Sequence, residues 1–105
     1  MAKKIKEIGI KLENIDHNKL VEILTEIERA VRRYLTEKLP HKADYDLILS
    51  VEKNDKITLL IDIGIIGVYE DIIDYESIAR DAVNVARRVF EERIKEYRGS
   101  SKNTS

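Results

Sequence analysis

The sequence predicts an α+β domain: a small antiparallel sheet in the order strand, helix, strand, strand, helix, with two amphipathic helices on one face. Three observations predict it. Two segments repeat apolar residues at three- and four-residue steps, each opening on an Ile-Asp pair. Between them lie two runs that alternate apolar and polar residues across a short polar break. The chain has 105 residues, of which 43% are hydrophobic, enough for one core and too few for two domains.

The first strand is read over residues 3 to 12, where Ile8, Ile10 and Leu12 alternate and Ile5 falls out of phase. The first helix starts at Ile15-Asp16: the Asp16 carboxylate can accept from the free amides of the first turn, and Ile15 can staple onto Leu20. Leu20, Ile23, Leu24, Ile27, Val31, Tyr34 and Leu35 form its inner stripe as far as about Leu39, and Pro40 ends it.

A β-hairpin follows over 45 to 66. Tyr45, Leu47, Leu49 and Val51 share one parity, as do Ile57, Leu59, Ile61, Ile63 and Ile65. Opposed residues in an antiparallel pair point to the same face, so the register decides whether the two rows unite. A two-residue turn would oppose Val51 to Thr58 and separate them. A three-residue loop, Lys53-Asn54-Asp55, opposes Val51 to Ile57, Leu49 to Leu59 and Leu47 to Ile61, and is the expected one. On the outer face it opposes Ile48 to Leu60 and Asp46 to Asp62.

Gly64 and Gly67 weaken the end of the second arm, and Val68 to Ile73 connect it to the second helix. That helix opens on Ile73-Asp74 by the device used at Ile15-Asp16. Ile78, Ala82, Val85, Ala86, Val89, Phe90, Ile94 and Tyr97 line its inner stripe, while Arg87 with Glu91 and Arg88 with Glu92 support the outside at roughly 0.2–0.5 kcal/mol per pair. Gly99 is the expected stop. The domain is therefore placed at 1–98, with 99–105 as a disordered tail.

These pieces belong together: Ala30-Val31, Tyr34, Lys38-Leu39-Pro40, the acidic-apolar hairpin, and Asp74-Tyr75-Glu76-Ser77-Ile78-Ala79 with Asp81-Ala82-Val83. They resemble a family of small archaeal proteins of unknown function, often encoded beside the prefoldin beta subunit. The likeness spans roughly residues 15 to 97 and rests on hydrophobic spacing and one Leu-Pro break. It implies an archaeal cytoplasm and no known activity. The order of elements is also similar to that of the small dimer-forming subunit of the KEOPS complex, which modifies tRNA. Neither family offers a motif that these positions match, so no functional residue is carried across.

The totals remove many activities. Nineteen Lys and Arg balance twenty Asp and Glu, for a net charge of -1, which is not the footprint of a protein that coats DNA. With no Cys there are no disulfides, thiolate metal sites or cysteine nucleophiles. The charged N-terminus never builds the apolar run of a signal peptide or membrane span, so a cytoplasmic protein without membrane contact is expected. Abundant Ile, Glu, Lys and Arg follow the bias of heat-adapted proteins.

Motifs for chemistry are sparse. His17 and His41 lack ligand spacing, no Gly-rich loop cradles a phosphate, and Ser77 fits a helix's first turn, not a nucleophile elbow. No catalytic residue, cofactor, metal or small-molecule substrate is expected. Glu70, Asp71, Asp74 and Glu76 cluster where carboxylates complement a helix dipole, with a bound cation as the alternative. The opposed Asp46 and Asp62 need an intervening cation such as Lys6 or Lys11, or a shared proton, or separation into water; an acid–base pair is the sharper alternative.

Two surfaces remain. If both helices cover one sheet face, Ile48, Leu60 and Ile66 are left on the other with Asp46 and Asp62, and such a patch marks a protein contact or self-association. The alternative is that the first strand, a helix end or residues 68–73 fold over it. Arg29, Arg32 and Arg33 on the first helix, with Arg80, Arg87 and Arg88 on the second, could reach an RNA backbone, although neighbouring glutamates are simpler partners. The expected function is thus a non-enzymatic interaction module, a homodimer or a small subunit of a larger assembly, with RNA as the alternative partner.

Overall fold

A computed structural model of the chain describes residues 1–11, 15–68 and 71–103. It has the predicted α+β order: β1 (Ala2–Ile10), α1 (His17–Lys38), β2 (Asp44–Lys53), β3 (Ile57–Ile66) and α2 (Tyr75–Asn103). The sheet is antiparallel in the order β1-β3-β2, so the second arm of the hairpin is the central strand. Leu12, which the sequence assigned to the first strand, lies outside the described residues.

β3 organises the core. Ile57, Leu59, Ile61, Ile63 and Ile65 are all fully buried, and both helices lie on the face they line. From α1 come Leu20, Ile23, Ile27, Val31 and Leu35. α2 contributes Tyr75, Ala79, Ala82, Val83, Ala86, Phe90 and Ile94, of which Tyr75, Ala79 and Val83 were not on the predicted stripe. The alanines matter because they allow α1 and α2 to approach closely above a sheet of large side chains. The helices run antiparallel, tied at one end by Arg93 donating to Glu26 at 2.8 Å and at the other by the Tyr34 hydroxyl donating to Asp81 at 3.4 Å.

Both start signals are realised. Asp16 caps α1 by accepting from the Asn18 amide, Ile15 is buried beneath it, and Asp74 accepts from the Ser77 amide at 3.1 Å. α1 ends before Pro40, with Leu39 as its cap. The stop at Gly99 is not realised: α2 continues to Asn103. One glycine in a helix costs only about 1 kcal/mol against alanine, and the predicted break required a left-handed turn that the residues after Gly99 do not force. Residues 104 and 105, the end of the expected tail, lie outside the described residues.

The hairpin register departs from expectation by a slide of two residues. Lys53 pairs with Ile57, so the three-residue loop is Asn54-Asp55-Lys56, and Val51, Leu49 and Leu47 oppose Leu59, Ile61 and Ile63 in place of Ile57, Leu59 and Ile61. A slide of two keeps every side chain on its face, which is why the apolar pattern cannot detect it. Its energetic consequence is on the polar face: the carboxylates of Asp46 and Asp62 no longer oppose each other.

Two glycines, one in β1 and one just past β3, differ in what they allow. A Cβ on Gly67 would overlap the Tyr75 ring, whose hydroxyl donates to the Val68 carbonyl and holds the start of α2 against the end of β3. A Cβ on Gly9 would meet only the flexible Lys56 chain, at 3.0 Å. Gly67→Ala is therefore expected to lower stability by about 1–3 kcal/mol, the cost of overpacking a site that cannot yield, and Gly9→Ala by a fraction of that. Denaturant titration of the two variants checks the order.

Burial and the neighbouring Asp81 charge raise the Tyr34 pKa above its ordinary value. A raised folded-state value favours the protonated hydroxyl, so its contribution is fully present below pH ~10 and is lost as pH rises through the raised value. The wild type should lose stability above that pH more steeply than Tyr34→Phe, as melting temperatures across the alkaline range will show.

Candidate functional site

The pairing that buries one face of β3 leaves the other face of the sheet with no helix. β1 pairs with β3 so that Ile5 opposes Asp62, and β2 pairs so that Ile48 opposes the same Asp62 from the other side. A single row across the outer face therefore reads Ile5, Asp62, Ile48. The rows beside it read Lys3, Gly64, Asp46 and Glu7, Leu60, Ser50.

Three isoleucines on this face stand in solvent: Ile5 is 61% exposed, Ile48 57% and Ile66 58%. Leu60, between them, is half-buried by its neighbours in the sheet. The first strand does not fold over the patch but extends it as an edge of the same sheet, and α1 and α2 both lie on the opposite side. Ile5, which looked out of phase in the sequence, is in phase with this outer row. The signal that reveals it is the even-numbered inner face of β1, Ala2, Ile8 and Ile10, paired with the odd-numbered inner face of β3.

The acidic pair is separated. Asp46 opposes Gly64, and Asp62 sits between two isoleucines with the Lys3 ammonium 3.8 Å away. A first-strand lysine does compensate Asp62, but it is Lys3 and not Lys6 or Lys11. Gly64 contributes no side chain to the row of Lys3 and Asp46, and a Cβ there would meet only Met1, at 3.9 Å. The outer face is thus a shallow apolar surface with one ion pair inlaid.

The acidic cluster before α2 disperses. Asp74 is used as the cap, Glu76 lies 4.0 Å from Lys4, and Glu70 lies outside the described residues. Among the described residues no three His, Asp or Glu side chains converge to hold a metal.

The six arginines that could reach RNA divide into two groups. Arg32 is drawn to the sheet, donating to Glu28 at 3.0 Å and to the Tyr45 hydroxyl at 3.2 Å, with its guanidinium 5.8 Å from the Tyr45 ring. The Glu28 and Tyr45 hydrogen bonds raise its pKa further. Arg80 donates to Ser77 and lies 3.7 Å from Asp81; Arg87 lies 3.8 Å from Glu91. Arg29, Arg33 and Arg88 are exposed and make no ion pair among the described residues, so the expected Arg88–Glu92 pair is not formed. Arg29 and Arg33 share one face of α1, one turn apart.

One feature escaped the sequence reading. The inner-face residues of β2, Tyr45, Leu47, Leu49 and Val51, are only half-buried, whereas those of β3 are fully so. α2 lies over β1 and β3, and α1 alone reaches over β2, leaving a groove of about 250 Å³ lined by Leu24, Glu28, Arg32, Leu47, Ile48 and Leu49. Periodicity shows which residues face inward but not how far a helix reaches across them.

No helix among the described residues is long and apolar enough to cross a membrane. No protein-family model matches the chain, and no curated protein is similar to it in sequence. A protein of Thermococcus onnurineus NA1, known from its crystal structure, is similar to it in fold: the TM-score is 0.75 over 95% of this chain and 99% of that one, at 17% identity. That likeness joins the chain to an archaeal protein of the same architecture and shows the fold alone.

Proposed function

We propose that the chain is a non-enzymatic protein-interaction module that acts in an archaeal cytoplasm, through the outer face of its sheet, either by self-association or as a small subunit of a larger assembly. The observation that carries this reading is the row of exposed isoleucines on a face without a helix. Full burial of an isoleucine side chain is worth about 1.5–3 kcal/mol, so covering Ile5, Ile48 and Ile66, each more than half exposed, supplies several kcal/mol to a complex. Asp62 and Lys3 would give such a partner orientation, because a misplaced docking strands their charges under apolar surface. The likeness in element order to the dimer-forming KEOPS subunit points to the same class of role.

Affinity capture from the native source with wild-type and Leu60→Asp protein as bait tests it. Leu60 is only half-buried, so Leu60→Asp should fold while losing the partners the wild type retains. Sedimentation covers self-association. A wild type that captures nothing and stays monomeric at high micromolar concentration, with Ile48→Asp and Leu60→Asp unchanged from it, would overturn the reading.

A second reading is favoured by Arg29, Arg33 and Arg88, three exposed guanidiniums without carboxylate partners among the described residues, on two helices that pack side by side. Unpaired arginines are available to phosphate, whereas Arg32, Arg80 and Arg87 are engaged. On this reading the chain is an RNA-binding accessory, related to tRNA modification. Retention of tRNA at low salt, weakened by added salt and by Arg29→Ala with Arg33→Ala, is the expected result; no retention at low salt ends it.

A further inference from the structure

The two edges of the sheet are treated differently. β1 carries Lys3, Lys4, Lys6 and Glu7, charges that discourage another strand from adding to it. β2 has charges only toward its ends, at Asp44, Asp46, Glu52 and Lys53, and its middle, Leu47-Ile48-Leu49-Ser50-Val51, has none. Those five uncharged residues lie on the free edge of a ten-residue strand, with unpaired backbone groups along one side.

The surroundings of this edge are also incomplete. On the inner side Leu47 and Leu49 are half-buried beside the groove under Leu24 and Arg32, and Val21, further along α1, is 48% exposed. On the outer side Ile48 is 57% exposed. An occupant must therefore supply a strand that is apolar on both faces over the same five residues.

We propose that this occupant is β2 of a second copy, paired antiparallel about a two-fold axis through Ile48, so that two three-stranded sheets become one. Self-pairing selects this register. With Ile48 opposite Ile48 of the second copy, Leu47 meets Leu49, Tyr45 meets Val51 and Asp46 meets Ser50, and all four helices lie on the same face of the joint sheet. A slide of one residue puts the helices of the two copies on opposite faces. A slide of two toward the turn sets Asp46 against Glu52, and a slide of two the other way sets Ile48 against Asp46. In the chosen register only Asp44 meets a like charge, Glu52, at the two exposed ends of the pairing, where solvent and salt screen it.

Edge pairing adds main-chain hydrogen bonds as a source of affinity separate from the outer-face isoleucines, and its alternate side chains give register. The inference goes beyond the reading above and leaves it intact: the outer faces of the two copies become coplanar, the row Ile5, Asp62, Ile48 runs on into its counterpart, and the doubled surface stays open to a partner.

The chain has no cysteine, which permits a direct test. Ile48→Cys places two thiols across the two-fold axis, within the Cβ separation that adjacent strands provide and that a disulfide can close. Mild oxidation should convert most of this variant to a covalent dimer. Leu60→Cys, on the same outer face but one strand away from the axis, should stay monomeric on denaturing gels. As a measurement without substitutions, amide exchange at Leu47 to Val51 of the wild type should slow several-fold from dilute to concentrated solution while exchange at β1 does not change. Leu60→Cys cross-linking as readily as Ile48→Cys would mean face-to-face packing and overturn the edge pairing, while supporting the outer-face reading. Ile48→Cys failing to cross-link, with β2 exchange independent of concentration, would overturn it as well, and partner capture by the outer face would then decide the other reading separately.

Discussion

Burial of five successive inward residues of β3 is the constraint on which the molecule rests. Ile57, Leu59, Ile61, Ile63 and Ile65 lie at the centre of the sheet and reach no solvent. A strand with one wholly apolar parity cannot slip by one residue without exposing all of it, so β3 dictates the facing of both neighbours. β1 and β2 inherit their inner and outer rows from it, and α1 and α2 have one surface on which to bury their stripes. The cost of misalignment, several side chains at about 1.5–3 kcal/mol each, far exceeds any surface ion pair in the molecule.

The same constraint creates the candidate surface. A three-stranded sheet with two helices on one side has an opposite side that its own chain does not cover, and most such faces are made polar. Here the polar parity is interrupted: Ile5, Ile48, Leu60 and Ile66 stand among Asp46, Asp62, Lys3 and Glu7. Asp62 is the central residue of that face and has an apolar neighbour on each side in its row, with the Lys3 charge near enough to compensate it. Elsewhere charge is spent on the fold itself. Glu26 with Arg93 and Asp81 with Tyr34 hold the helices together, Glu28 with Arg32 ties α1 to β2 through Tyr45, and only Arg29, Arg33 and Arg88 among the six arginines considered stay uncommitted among the described residues.

Much of this was legible in the residues. Ile15-Asp16 and Ile73-Asp74 announce the helix starts because a carboxylate followed by a turn of free amides has one economical arrangement. Pro40 announces an end because it lacks a donor. The odd-numbered rows of 45–51 and 57–65 announce a hairpin with a united face, and the outer position of Ile48, Leu60 and Ile66 follows from parity alone. What misled was what parity does not encode. The loop moved to Asn54-Asp55-Lys56, which took Asp46 away from Asp62; Gly99 proved too weak a break; and Ile5 was discounted because its place became meaningful only once β1 was paired with β3.

By itself, then, the chain's pattern of apolar and polar residues determined the element order, the two helix starts and which side chains share a face, since these depend on spacing and on contacts within a few residues. Tertiary structure decided the rest. The apolar pattern does not distinguish registers of equal parity, so the hairpin alignment appears only in the folded pairing, and the half-covered inner side of β2 follows from α1 alone reaching over it while α2 lies on β1 and β3. The apolar outer row of Ile5 and Ile48 around Asp62 joins residues far apart in the chain, and it exists only because β3 lies between the two strands that carry them.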